Sequence, residues 1–244
     1  MTSDAICRRL GKITDDIRRL EQRFDRPGDS VALIAVSKTK PVSMIRAAIS
    51  CGQRRFGENY AQELHEKATA LAGTATEWHF IGPIQSNKTR LIAAHAHWVH
   101  GVDRIKIARR LAAQRPDHLP ALNICLQVNI DGEAGKSGVS PEALPELADA
   151  VAQIDGIVLR GLMCIPRPRQ GFEAQRAPFA RLRRAMAELN DNGFALDTLS
   201  MGMSGDYAAA IAEGATMVRI GTAIFGERSR PHVEKRPVDT PRQR

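Results

Sequence analysis

Apolar residues recur at alternating spacings of four and three along residues 3–24, at Ile6, Leu10, Ile13, Ile17, Leu20 and Phe24. That spacing puts them on one face of a helix. From residue 31 onward the pattern changes. Short, nearly continuous apolar runs at 31–38, 54–58, 78–81, 98–102, 122–130, 158–165, 199–203 and 217–220 read as strands. They alternate with helical segments at 42–50, 59–71, 86–94, 103–114, 141–153, 172–190 and 208–213. Asp103 is placed to cap the fourth of these helices, and Ser204 the last, with Asp206 in its first turn. Strands without polar alternation are buried on both faces, which means a parallel sheet covered by helices. Eight β/α units predict an α/β fold, a single (β/α)8 TIM barrel with an extra N-terminal helix. The stripe on that first helix is expected to pack on its own domain rather than form a dimer seam, and the chain is expected to be a monomer.

The 244 residues, 43% of them hydrophobic and 25% charged, suffice for one sizeable core. The sequence shows neither an apolar run of membrane-spanning length nor a signal peptide, so a soluble, cytoplasmic protein is expected. Cys7, Cys51, Cys125 and Cys164 stand far apart with no C-x-x-C pair, and read as reduced, mostly buried thiols rather than a disulfide or zinc framework. The net charge is +8, part of it in residues 227–244, where six basic residues face three acidic ones. This Pro-rich stretch reads as a basic, disordered tail outside a barrel domain at 1–226. It lacks the interleaved aromatics of a nucleic-acid-binding segment, and a solvated tail is the expectation.

In a TIM barrel the chemistry sits at the C-terminal ends of the strands. Those ends carry Ser37, Lys38, Glu58, Asn59, His79, Asn129, Met163, Ser204, Arg219, Gly221 and Thr222. Alternation places Lys38 on the strand face of Ile34 and Val36, which points it into the barrel mouth if that face is the inner one. Burial beside a cation lowers a lysine's pKa, and a neutral amine forms Schiff bases with aldehydes. The alternative is a lysine that snorkels to solvent. Lys40, beside Pro41, reads as an exposed counterpart. Strands seven and eight, with the turns that follow them at Ser204 and at Gly221-Thr222, present backbone N–H groups suited to a phosphate. Arg219 lies inside the last strand, where a charge needs a partner. A lysine, a phosphate cradle and a partner for a ring nitrogen are what pyridoxal phosphate requires. Because a guanidinium stays charged, Arg219 would donate to an unprotonated ring nitrogen and leave the cofactor a weak electron sink. Glu227 after Gly226 rules out a nucleotide P-loop. His95, His97 and His100 could suggest a metal but fall on the wrong rim of the barrel. Asp131, Glu133 and Lys136 read either as a loop salt-bridge cluster or as a lid. Met163 reads as a pocket lining or a core residue.

Several long motifs resemble the pyridoxal-phosphate homeostasis proteins. They are Leu33-Ile34-Ala35-Val36-Ser37-Lys38-Thr39-Lys40-Pro41, Phe56-Gly57-Glu58-Asn59-Tyr60, the run from Trp78 to Lys88, Lys136-Ser137-Gly138, Gly161-Leu162-Met163 and the run from Leu199 to Gly226. The resemblance implies a barrel like the N-terminal domain of alanine racemase, with pyridoxal 5'-phosphate held as a Schiff base on Lys38. It implies Arg219 at the ring nitrogen, Ser204, Gly221 and Thr222 at the phosphate, and Asn59 near the ring. It further implies intracellular vitamin B6 homeostasis without known turnover, and dependent apo-enzymes as receiving partners. Gly205 departs from a position that is polar in many relatives. Two other readings stand beside this one. A pyridoxal-phosphate amino-acid racemase would need a second base, usually a tyrosine from a further domain, whereas Tyr60 and Tyr207 both fall at helix starts. A Schiff-base barrel aldolase would need an acid/base carboxylate, for which Glu58 is the candidate.

Overall fold

The computed structural model describes residues 2–227. Its strands are β1 (Ala32–Val36), β2 (Arg55–Glu58), β3 (Glu77–Phe80), β4 (Trp98–Val102), β5 (Leu122–Gln127), β6 (Ile157–Met163), β7 (Thr198–Ser200) and β8 (Met217–Ile220). They pair in parallel in sequence order, and β1 pairs with β8 to close the barrel. The helices are α1 (Ser3–Arg23), α2 (Val42–Ser50), α3 (Ala61–Ala70), α4 (Thr89–His95), α5 (Ile105–Ala113), α6 (Leu144–Ala152), α7 (Phe172–Asp191), α8 (Tyr207–Ala212) and α9 (Thr222–Phe225). The expected (β/α)8 barrel with an additional first helix is therefore present. Among the described residues no helix is long and apolar enough to cross a membrane.

Two apolar layers hold the fold. The larger lies between the strands and the helices, and the smaller fills the barrel with Ile34, Trp98, Cys125, Met163 and Met217. The helix α9 spans only four residues and cannot cover its share of the sheet. Helix α1 fills that gap by packing on α2, α8 and α9, which buries Ile6, Leu10, Ile13, Ile17 and Leu20. The stripe is thus spent inside the domain.

Several local expectations are corrected. The strand read at 31–38 ends at Val36, and that read at 199–203 ends at Ser200. Past Ser200 the chain turns at Gly202, whose φ of +93° and whose approach to Ala210, 2.6 Å from where a Cβ would sit, admit only glycine. The residue at the start of α8 is Asp206, not Ser204, and Asp206 Oδ1 accepts from the Met203 N–H at 2.6 Å. Asp103 does not cap α5, whose N-terminal flank is Arg104; it pairs with Arg104 instead. Lys40 is half-buried rather than exposed, and donates to the carbonyls of Gly226 and Glu227 just beyond α9. Cys7 and Cys51, read as reduced thiols, form a disulfide with a Cα–Cα distance of 5.5 Å that joins α1 to the end of α2. Cys125 and Cys164 are free and buried. Apart from Glu227, the basic tail lies outside the described residues.

Candidate functional site at the barrel mouth

Ile34 lies in the barrel-filling cluster, so the strand face that leads to Lys38 is the inner one. The chain leaves β1 at Val36 and turns through Ser37, half-buried Lys38 and Thr39. Thr39 has φ of +63°, a costly conformation for a β-branched residue. Three side chains hold this turn from both sides. Ser37 Oγ donates to Glu58 Oε1 at 2.6 Å. Lys67 Nζ donates to the Ser37 carbonyl at 2.8 Å, to Glu58 Oε1 at 2.8 Å and to Glu63 Oε2 at 2.7 Å. Glu63 Oε2 accepts the Thr39 N–H at 2.7 Å. The backbone on either side of Lys38 is therefore fixed. Burial pushes the Glu58 carboxyl up to about 7 against the opposing pull of Lys67, and its Oε2 is buried with no partner among the described residues. The sequence reading missed Glu63 and Lys67. Their spacing on one turn of α3 is the available signal.

Arg219 stands on β8 beside β1, in register with Ile34, so Lys38 emerges one strand over and four residues nearer the mouth. The arginine is 4% exposed. It donates to Ser200 Oγ at 2.7 Å and to the Cys164 carbonyl at 2.9 Å, both neutral acceptors. Its other side-chain N–H groups have no acceptor among the described residues. Burial lowers its pKa, yet a guanidinium remains charged. A buried cation without a carboxylate partner, with donors to spare, fits a lone pair brought in from outside.

The phosphate candidates surround the same strand ends. Ser204 and Thr222 are exposed, and Gly221 is half-buried. The first-turn N–H groups of Thr222 and Ala223, and those of Ser204 and Gly205 in the β7–α8 turn, have no acceptor among the described residues. A Cβ at Gly221 would come within 3.1 Å of the Val36 carbonyl oxygen, so a larger residue there would press on β1. The turn at Gly202 is tied to β8, because the Arg219 N–H donates to the Gly202 carbonyl at 2.9 Å. Asn59 is half-buried, and its Oδ1 is buried without a partner among the described residues. It borders a mouth cavity of about 250 Å³ with Ile81, Gln127, Asn129 and Lys136. Free anion donors, a buried cation with spare N–H groups and a clamped lysine on adjacent strand ends fit a cofactor bearing a phosphate, a ring nitrogen and an aldehyde. A larger cavity, about 820 Å³, opens between α1, α2 and the N-terminal strand ends and contains none of these residues. Of the candidate residues only Asn59 lines the 250 Å³ cavity, but Lys38, Gly221 and Thr222 follow the paired strands β1 and β8 on the same rim, which makes the mouth the better candidate.

The remaining sequence candidates separate. Asp131 accepts from the Arg167 N–H, from Arg169 and from Arg181, which hold its carboxyl down at about 2, and Lys136 pairs with Glu133. These contacts form a salt-bridge cluster joining the loops after β5 and β6 to α7. The three neighbouring histidines face different partners. His95 meets His65, His97 Nδ1 accepts from the Trp78 N–H, and His100 enters the barrel interior. Met163 is packed inside the barrel.

The alanine racemase N-terminal domain family model matches residues 9–229. The pyridoxal phosphate homeostasis protein of Pseudomonas aeruginosa is 57% identical over 223 residues, covering 91% of this chain and 96% of that protein. The protein of the same name from Escherichia coli K12 is 50% identical over 226 residues, covering 91% and 97%. Among solved structures, PipY of Synechococcus elongatus with PLP bound superposes with a TM-score of 0.78 at 36% identity, over 91% of this chain and all of that one.

Proposed function

The chain belongs to the pyridoxal phosphate homeostasis protein family, and from that premise we propose that it binds pyridoxal 5'-phosphate at the barrel mouth and serves vitamin B6 homeostasis as a cofactor carrier without catalytic turnover. The observation that carries this reading is the placement of buried, carboxylate-free Arg219 beside the clamped turn of Lys38 on adjacent strands. When bound, the cofactor supplies an aldehyde that an amine captures covalently and reversibly. Lys38 would supply that amine, its nitrogen bonding to the aldehyde carbon with loss of water. Arg219 donates to the ring nitrogen and, being already protonated, gives that nitrogen no proton. Ser204, Gly221 and Thr222 hold the phosphate through backbone and hydroxyl donors. Asn59 lies beside the ring.

The surrounding groups favour carriage over turnover. Tyr207 donates its hydroxyl to Asp16 of α1, and burial pushes it up to about 12, so it is no base. Tyr60 is 55% exposed on the rim. Neither tyrosine is therefore a poised second base for a racemase among the described residues, and the aldolase's candidate carboxylate, Glu58, is engaged by Ser37 and Lys67. A cytoplasmic monomer that loads dependent apo-enzymes completes the proposal. Borohydride reduction of the loaded protein tests it: peptide mapping is expected to find the adduct on Lys38, and an adduct confined to another lysine would overturn the assignment.

A further inference from the structure

The barrel interior contains a line of polar side chains that the cofactor site does not account for. Arg219 Nη1 donates to Ser200 Oγ at 2.7 Å, Ser200 Oγ lies 2.7 Å from His100 Nδ1, and His100 Nε2 lies 3.0 Å from His79 Nδ1. All four residues are buried. They come from β8, β7, β4 and β3, so the line crosses the barrel from the mouth-side arginine to the opposite wall. Glu77 Oε1 then lies 2.9 Å from His79 Nε2. That nitrogen counts no formed hydrogen bond, so the carboxylate sits near it but off the N–H axis.

Satisfying every buried polar atom leaves one arrangement of protons. An arginine only donates, so Ser200 accepts from it. The Ser200 hydroxyl proton then has one acceptor among the described residues, His100 Nδ1. His100 Nδ1 must therefore be unprotonated, and its proton sits on Nε2 and points to His79 Nδ1. By the same step His79 carries its proton on Nε2, facing Glu77. Reversing any link would leave the buried Ser200 hydroxyl without an acceptor, a cost that native interiors avoid.

We propose that Ser200 and His100 are positioning residues for Arg219, and that a one-way chain of hydrogen bonds from Arg219 through Ser200 and His100 to His79 fixes the guanidinium at the cofactor's ring nitrogen. The cofactor part rests on the function proposed above; the chain itself does not. Burial, aided by the neighbouring charges, holds His100 well below 6.5. Burial also lowers His79 against the opposing pull of Glu77, with Arg55 and His97 the other charges facing it. Both rings are thereby kept neutral, and Arg219 meets no second cation in the core. His79 also stacks on Trp98 at an interplanar angle of 13°, which fixes the end of the chain.

Nitrogen NMR of the full-length protein with labelled histidine rings tests the chain without any cofactor, with His79→Gln and His100→Gln assigning the signals. Both rings are expected to be Nε2–H tautomers that do not titrate between about pH 5 and 8. A proton on Nδ1 of His100, or titration of either ring in that window, would overturn the chain. The positioning role is read on loaded protein. Ser200→Ala is expected to shift the absorption of the bound cofactor and to weaken its retention on the order of tenfold, and Ser200→Thr to restore both. An Ser200→Ala variant with unchanged spectrum and retention would overturn positioning. Should wild-type protein bind no pyridoxal phosphate, the earlier reading fails, and the tautomers alone decide the chain.

Discussion

Arg219 is the residue on which the proposed site's electronics turn, because among the described residues its buried side chain donates to neutral acceptors. Arg219→Glu offers the ring nitrogen a carboxylate in place of a cation. It is expected to permit protonation there and to shift the absorption of the bound cofactor, whereas Arg219→Ala should weaken retention. An unchanged spectrum and affinity in both variants would place Arg219 in a purely structural role. Glu58 makes a second prediction at this scale. Burial raises its folded pKa to about 7 from a reference of 4.5, so the folded state binds this proton more tightly than the unfolded state. The resulting stability is full below the unfolded value and is lost as pH rises through the folded one. Urea unfolding at pH values on either side of that window should therefore show wild type losing stability relative to Glu58→Gln as pH rises. Parallel pH profiles would mean that Glu58 stays ionised throughout, paired with Lys67.

At the scale of elements, the alternation of apolar runs and helices was enough to read the barrel, because strands buried on both faces leave no polar alternation to mislead. Alternation put Lys38 on the face of Ile34 and Val36, but which face of β1 is the inner one was not legible in a strand apolar on both sides; the packing of Ile34 inside the barrel decides it. What escaped were features created by closure. The chain through Ser200 and His100 joins residues 100 positions apart, and polar residues inside an apolar strand look like interruptions until the strands meet. His100 in particular was assigned to the wrong rim: it is the middle residue of β4, where alternation puts it on the inward face with Trp98. Helix starts shifted by one or two residues, from Ser204 to Asp206 and from Asp103 to Arg104, and neither flanking side chain caps its helix. The Cys7–Cys51 bond was illegible because only the packing of α1 on α2 brings residues 44 positions apart within reach. Closing a loop of that length contributes at most about 4 kcal/mol in the chain-entropy account. Cys7→Ser, or reduction of the wild type, is expected to lower the stability in urea by ~2–4 kcal/mol, with a steeper slope because the unfolded chain loses its cross-link. Equal midpoints with and without reductant would show that packing alone holds the two helices.

For the whole molecule, the closed barrel brings a lysine, an arginine and two donor-rich turns to one rim while its interior braces the arginine from below. This arrangement suits holding an aldehyde and letting it go. Racemisation would require an acid and a base on opposite faces of a bound amino acid, and the proposed carrier role expects no such pair to act. With Arg219 at the ring nitrogen, as proposed, the cofactor would be a poor electron sink, and proton abstraction at an amino acid would gain little from it. The measurement that tests this account most directly is chiral chromatography of a panel of D- and L-amino acids incubated with the pyridoxal-phosphate-loaded, full-length protein, with Lys38→Ala as control. The account predicts no turnover above that control for any amino acid, and sustained turnover that Lys38→Ala abolishes would contradict it.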